Sequence, residues 1–417
     1  MFRSLFWRLS CVAACLSYAA AARAELAVTK LQDWELSLDG RVNTFISYSF
    51  GQPQPLSVPT WQGIEDRGTD HIAMTRIRSG FISNVLGLTL RHPLNDSTTL
   101  TVRFATWVGI SQARSNSNTP ADNPALDARE VYLKVDGPWG GALAGRNMSL
   151  FSRGAIMLDY DIEHGFGLGH PCTIRTVQGA ACGHAGHGLF FPGYNAGVVY
   201  NTPELVGLQF SLGAYDPAVN SERTYERTPY PRFEGEATWH WRKYVRVFVG
   251  GLWQRFGENS NAQQYADASG VNYGAGLELG PVQLGFTGYF GQGLGLTTPL
   301  ENSPLFSDDA GVVRNSRGYV GMAALNLGNT KLAGGYGATM LDKTENEPAG
   351  PFPSQTMPKR QLGASAGIYQ KLAPLVLALE YFRGRYEWHL VSDPNGGPPL
   401  NNSQVVNFIN AGVTAFF

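Results

Sequence analysis

The chain has 417 residues, room for two soluble domains or one large barrel, and combines few charged residues (16%) with 12% aromatics and 50 glycines. Its formal net charge is −1, and without Arg3, Arg8 and Arg23 of the N-terminal segment 29 basic residues face 33 acidic ones, about −4, which gives nucleic acid no electrostatic footing. No run of about 18 apolar residues lies beyond the first two dozen positions, which argues against membrane-spanning helices. The mean hydropathy of −0.16 is compatible with a barrel in a membrane, because half of each barrel strand faces water.

The chain opens MFRSLFWRLSCVAACLSYAAAARA. Arg3 and Arg8 make a basic start, Leu9 to Ala21 an apolar stretch, and Ala22-Arg23-Ala24 a cleavage site, so residues 1–24 are expected to be a signal peptide and 25–417 the mature barrel. Val12 to Cys15 also fits a lipoprotein box, but leaves only a few apolar residues before Cys15. Cys172 and Cys182 remain in the exported chain, which favours a disulfide between them over free thiols. His164, His170, His184 and His187 lie nearby, but their spacings are weak for zinc, and no metal or other cofactor is expected.

From Asp33 onward, sixteen runs alternate with period two, the signature of strands with one apolar and one polar face. They are 33–50, 74–92, 98–114, 128–136, 141–149, 194–202, 206–215, 232–241, 244–256, 270–279, 282–292, 316–327, 331–342, 359–372, 375–390 and 404–417. In the eleventh, Val282, Leu284, Phe286 and Phe290 oppose Gln283, Thr287 and Tyr289. Connections alternate between short turns, such as Gly280-Pro281, and long polar loops at 51–71, 115–127, 150–193, 216–231, 257–269, 293–315, 343–358 and 391–403. The expected fold is therefore all-β: a transmembrane antiparallel barrel of 16 strands, with short periplasmic turns and long extracellular loops. Trp34, Trp239, Trp241, Tyr244, Trp388, Phe416 and Phe417 cluster near strand ends and are expected to form interfacial girdles. The last run, VVNFINAGVTAFF at Val405–Phe417, ends on an aromatic residue with no polar tail.

Several stretches resemble the general bacterial porins. DWELSLDGRVNTFISYSF (Asp33–Phe50) resembles their opening strand, and REVYLKVDGPWGGALAGRN (Arg129–Asn147) their fourth and fifth. YNAGVVYNTPELVGLQFSLGAY (Tyr194–Tyr215) resembles the sixth and seventh, and the final strand the sixteenth. The resemblance implies an outer-membrane, usually trimeric, water-filled channel of a Gram-negative bacterium, passing small hydrophilic solutes and ions by passive diffusion. It implies that Phe417 signals to the barrel assembly machinery, and that the third loop, 150–193, folds into the lumen. There Asp159, Asp161 and Glu163 would face arginines on the wall, creating a transverse field. Arg129 occupies the matching position on the fourth strand, although alternation places it on the apolar face with Val131, Leu133 and Val135. The family's second-strand arginine falls near Val85 and its sixth-strand one near Gly193 or Tyr194, so neither is present. Arg103 points inward on its own phase, and Arg78, Arg76 and Arg41 are further wall candidates. Two other functions stay open: a porin selective for one sugar or anion, and a barrel hydrolase, for which no G-x-S-x-G motif occurs.

Overall fold

A computed structural model describes residues 25–53, 55, 73–110, 126–163, 183–218, 230–257, 265–300, 305–308, 311–347, 357–389 and 402–417. The strands are β1 (Glu25–Leu31), β2 (Trp34–Gly51), β3 (Met74–Arg78), β4 (Asn84–Asn95), β5 (Thr98–Val108), β6 (Leu126–Gly137), β7 (Gly140–Met148), β8 (Tyr194–Asn201) and β9 (Leu208–Tyr215). They continue as β10 (Arg232–Trp241), β11 (Val245–Phe256), β12 (Ala266–Leu279), β13 (Val282–Gln292), β14 (Asn315–Leu327), β15 (Thr330–Leu341), β16 (Pro358–Leu372), β17 (Leu375–Trp388) and β18 (Ser403–Phe416). One helix, α1 (Arg153–Glu163), follows β7.

Neighbours in sequence pair antiparallel around the ring, and β18 closes it on β2, from Val406 opposite Gly51 to Phe416 opposite Arg41. Phe417 adds two backbone bonds to Gly40, 2.8 and 3.1 Å, so the last residue completes the seam. The 18 strands make a 16-stranded wall, because β3 and β4 are two halves of one wall strand on β2, and β1 only folds back on Trp34–Asp39. The sequence periodicity missed both features. The break between β3 and β4 is stabilised by side chains that replace ladder bonds. Asn84 Oδ1 accepts from the Asn43 backbone N–H (2.6 Å), and Asn43 itself accepts from Gly80 N–H (2.7 Å) and donates to the Ile82 carbonyl (2.9 Å).

The two faces of the wall are inverted relative to a soluble protein. Val42, Ile46, Phe104, Leu212, Val249, Phe286 and Leu379 are exposed, whereas Ser47, Arg103, Glu236, Asn272, Thr287, Glu380 and Asn410 are buried. Apolar side chains outside and polar ones inside are stable only where hydrocarbon surrounds the wall and water or protein fills its middle. Trp34, Trp239, Trp241 and Tyr244 stand on the outer surface, as a girdle requires. Trp388 does not: it is 1% exposed and packs inside with Tyr386, Val406 and Phe408. Phe416 likewise lines an internal cavity, on the inward phase of β18.

Candidate functional site: the lumen and the segment lodged in it

The long loop after β7 contains α1, which the strand-based sequence reading left out. Ala155, Leu158 and Ile162 recur at helical spacing and make one apolar face. The Ser152 carbonyl accepts the first intrahelical bond, from Ile156 N–H (3.0 Å). One of the N-terminal N–H groups, which a helix cannot satisfy itself, is met by a carboxylate of β10, and a second carboxylate of β10 holds the chain just before the helix. Glu234 accepts from Phe151 N–H (2.7 Å) and Glu236 from Gly154 N–H (3.0 Å), while Arg153 forms an ion pair with Glu236. Both glutamates sit on the inward phase of β10 and are 4% exposed. Two inward carboxylates two residues apart were the available sequence signal for this anchor.

The apolar face of α1 then packs on the inner wall. Leu158 lies over Gly276 and Ile162 over Gly285, so close that a Cβ at either glycine would strike them. Ile156, Leu158 and Ile162 form one buried cluster with Phe248 of β11, with Val320, Met322 and Ala324 of β14, and with Phe81 from the β3–β4 break. The returning arm is fixed by polar groups. His184 Nδ1 bonds Asp159 and its Nε2 bonds Ser365 Oγ of β16, both at 3.0 Å. His187 Nε2 bonds Tyr386 Oη of β17 at 3.0 Å, and the ring packs edge-on against Phe382. Gly188 (φ +109°) donates to Thr339 Oγ1 at 2.8 Å, and any side chain there would overlap the Tyr319 carbonyl oxygen. A second loop covers the first: Leu294, Leu300 and Phe306 pack with Phe151 and Phe190, and Phe191 N–H donates to the Thr297 carbonyl.

On the other side of α1 the wall carries the arginines. Arg103 Nη1 and Nη2 grip Asp39 at 2.7 and 3.1 Å, Nε meets Glu130 at 2.6 Å, and Nη1 also donates to Thr89 at 2.8 Å. Such bidentate, charge-assisted geometry fixes the guanidinium. Arg129 faces inward despite its phase. The register with β5 passes from Glu130–Ala105 to Ala128–Thr106, so Arg129 is the extra residue of a β-bulge, and a bulge re-aims its side chain. Its guanidinium pairs with Asp127 (2.7 Å) among Trp107, Phe191 and Tyr194, 5.4–5.6 Å from each ring centre. Arg41 bonds Tyr160 of α1 at 3.3 Å. Arg78 is 2% exposed and bonds Asn410 of β18 at 3.2 Å, so it lies apart from Arg103 and Arg129.

The sequence-derived acidic side is placed only in part. Asp159 is 1% exposed and turned toward His184, away from the arginine wall. The side chains of Asp161 and Glu163 lie outside the described residues, as do Cys172, Cys182, His164 and His170. Among the described residues no cluster of His, Cys, Asp and Glu is arranged to hold a metal. Among the described residues, two cavities lie along the arginine wall. One of about 130 Å³ lies between Ile156, Met157 and Tyr160 of α1 and Arg41, Arg103 and Arg129. The other, about 310 Å³, lies toward the loop end, between Arg129, Arg146 and Arg232.

A closed 16-stranded wall, apolar outside and polar inside, with a folded segment seated on its inner face, is a membrane-spanning β-barrel of the channel-forming class. Residues 10–351 match the family of Gram-negative porins, and the chain belongs to that family: it is an outer-membrane porin, a channel for passive diffusion of small hydrophilic solutes. Among solved structures, the fold is similar to the outer membrane channel DcaP of Acinetobacter baumannii, at 16% identity and TM-score 0.65, covering 94% of this chain and 100% of that one. It is also similar to the anion-selective porin from Comamonas acidovorans, at 13% identity and TM-score 0.60, covering 92% and 100%. The trimer form of OmpT of Vibrio cholerae matches at 13% identity and TM-score 0.52, covering 93% and 100%. No curated protein sequence matches the chain.

Proposed function

We propose that this porin filters solutes at a narrow point between α1 and the β2–β6 wall, and that Arg103 and Arg129 form the basic side of that point. The supporting observation is that both guanidiniums are fixed by carboxylates on the wall that faces α1 across the smaller cavity. For the acidic side, Asp161 and Glu163 are proposed from the family resemblance alone; Asp159 instead fastens the returning arm through His184. Opposed charges across a passage with low-dielectric walls orient dipolar solutes and act over short range with little screening. The channel has no catalytic step. Asp159, His184 and Ser365 line up as a hydrolase triad would, but His184 is fully buried and Ser365 Oγ also accepts from Gly335 N–H at 2.9 Å, so the row serves as a clasp. A homotrimer is the proposed assembly, supported by the trimer form of the Vibrio cholerae neighbour. A disulfide between Cys172 and Cys182 would shorten the free part of the loop.

Reversal potentials in a KCl gradient test the filter. Arg103→Gln and Arg129→Gln should each move the channel toward cations, and Asp161→Asn with Glu163→Gln toward anions, most clearly at low salt. Unchanged potentials in correctly inserted variants would place the filter elsewhere in the lumen.

A further inference from the structure

The larger cavity has a composition that the diffusion function alone does not require. Three arginines from three strands converge on it: Arg129 of β6, Arg146 of β7 and Arg232 of β10. Two carboxylates also line it, and both are engaged. Asp127 holds Arg129 at 2.7 Å and lies 4.0 Å from Arg146, while Glu234 pairs with Arg232 at 2.9 Å and accepts the Phe151 N–H that starts the inserted segment. The guanidiniums therefore outnumber the carboxylates, and not all of their N–H groups are used.

Arg129 is 5% exposed, yet its Nη2 has no acceptor among the described residues, and neither has the buried Nε of Arg146. A buried guanidinium N–H without an acceptor costs more than an ordinary missing hydrogen bond, because the charged group has given up its water. The rings of Trp107, Phe191 and Tyr194 hold the Arg129 plane in place, so it cannot swing out to solvent to relieve that cost. Ser149 Oγ, which accepts from Arg232 at 3.1 Å and from Asn195 at 2.6 Å, keeps that edge of the cavity polar. Planar N–H forks around a confined polar space match the oxygens of a carboxylate or phosphate group.

We propose that this cavity is a binding station for the oxyanion group of a passing solute, a carboxylate or a phosphate, held by Arg129 and Arg146 with Arg232 as the third cation. Arg129 lines both cavities, so a solute held there stands at the entrance to the space between α1 and the wall. The station rests on the reading of the lumen as an open path, and its failure is separable from failure of that reading.

The test is single-channel recording of the mature protein in constant KCl with increasing inorganic phosphate, then acetate, as probes. Wild type should show a saturable fall in KCl current with either probe. Arg146→Gln should raise the half-blocking concentration about tenfold or more, the loss expected for one charge-assisted hydrogen bond, and Arg129→Gln should do the same. Arg255→Gln, whose arginine pairs with Asp267 on the outer surface, should leave the half-block unchanged. Arg146 is 41% exposed, so its variant keeps the test available if Arg129→Gln does not assemble. A current that changes linearly with phosphate, or a half-block equal in wild type and Arg146→Gln, would overturn the station while the KCl steps themselves still report an open channel.

Discussion

The placement of α1 on the inner wall predicts the effect of the double substitution Leu158→Ala, Ile162→Ala. Both side chains are 3% exposed and lie over Gly276 and Gly285, where no neighbouring side chain can move in to fill the space. Each truncation should cost roughly 2–5 kcal/mol, the range for buried aliphatic residues cut to alanine. Because the two sites share partners, the sum of about 4–10 kcal/mol is an upper bound. That loss falls on the docking of one helix, while the strand ladders that hold the wall together are untouched. What remains includes Ile156 in the same cluster, Glu234 and Glu236 near the helix start, and the two histidines on the returning arm. The helix should then leave the wall for part of the time. Single-channel recordings in KCl should show altered mean conductance and more open-channel noise, with heat-modifiable, inserted protein at wild-type levels. Wild-type conductance and noise in the inserted variant would refute the claim that these contacts hold the segment in the lumen.

Three further outcomes follow from particular contacts. Gly188→Ala places a side chain against the Tyr319 carbonyl at a left-handed φ, so the returning arm should unseat and open-channel noise should rise without loss of insertion, as recorded in planar bilayers. Deleting Phe417 removes both backbone bonds to Gly40 and the terminal aromatic together, and heat-modifiability gels should show sharply reduced insertion with export across the inner membrane intact. In the loops, burial pushes the Glu347 carboxyl up, but bonds from Arg314 and the Thr344 N–H outweigh it and hold it below the usual 4.5. A carboxyl lowered on folding contributes stability fully above 4.5, which is lost as pH falls through the lower folded value. Hydrogen exchange at Thr344–Glu347, corrected for its intrinsic pH dependence, should therefore accelerate on acidification below that point, and Glu347→Gln should show the faster exchange already at neutral pH.

The wall was legible because its information is local. Period-two alternation in runs such as Val271–Leu279 and Val282–Phe290 is imposed by a surface between hydrocarbon and water, and every residue of the strand reports it. Arg129 was misplaced by the same rule, because a single bulge residue against Ala105 and Thr106 shifts the phase without any mark in composition. The β3–β4 break left a faint mark in Ser79-Gly80, but its stabilising partners, Asn43 and Asn84, become visible only once β2 lies beside it. The interior of the lumen was least legible. Asp159 reads as a charged loop residue in sequence, and its partner His184 is 25 positions away, with Ser365 a further 181. The alternation of β10 marks Glu236 as inward, and nothing nearby in sequence says that it meets the start of a helix. Contacts of this kind depend on which strand the closing ring brings opposite the loop.

Planar-bilayer recording of the purified, refolded mature chain in KCl is the most direct test of the channel itself. An open lumen with charged walls predicts discrete current steps, occurring in threes if the assembly is a trimer, and a reversal potential in a KCl gradient that shifts when Arg103 is neutralised. Correctly folded, membrane-inserted protein that produces no steps at any applied voltage would contradict it.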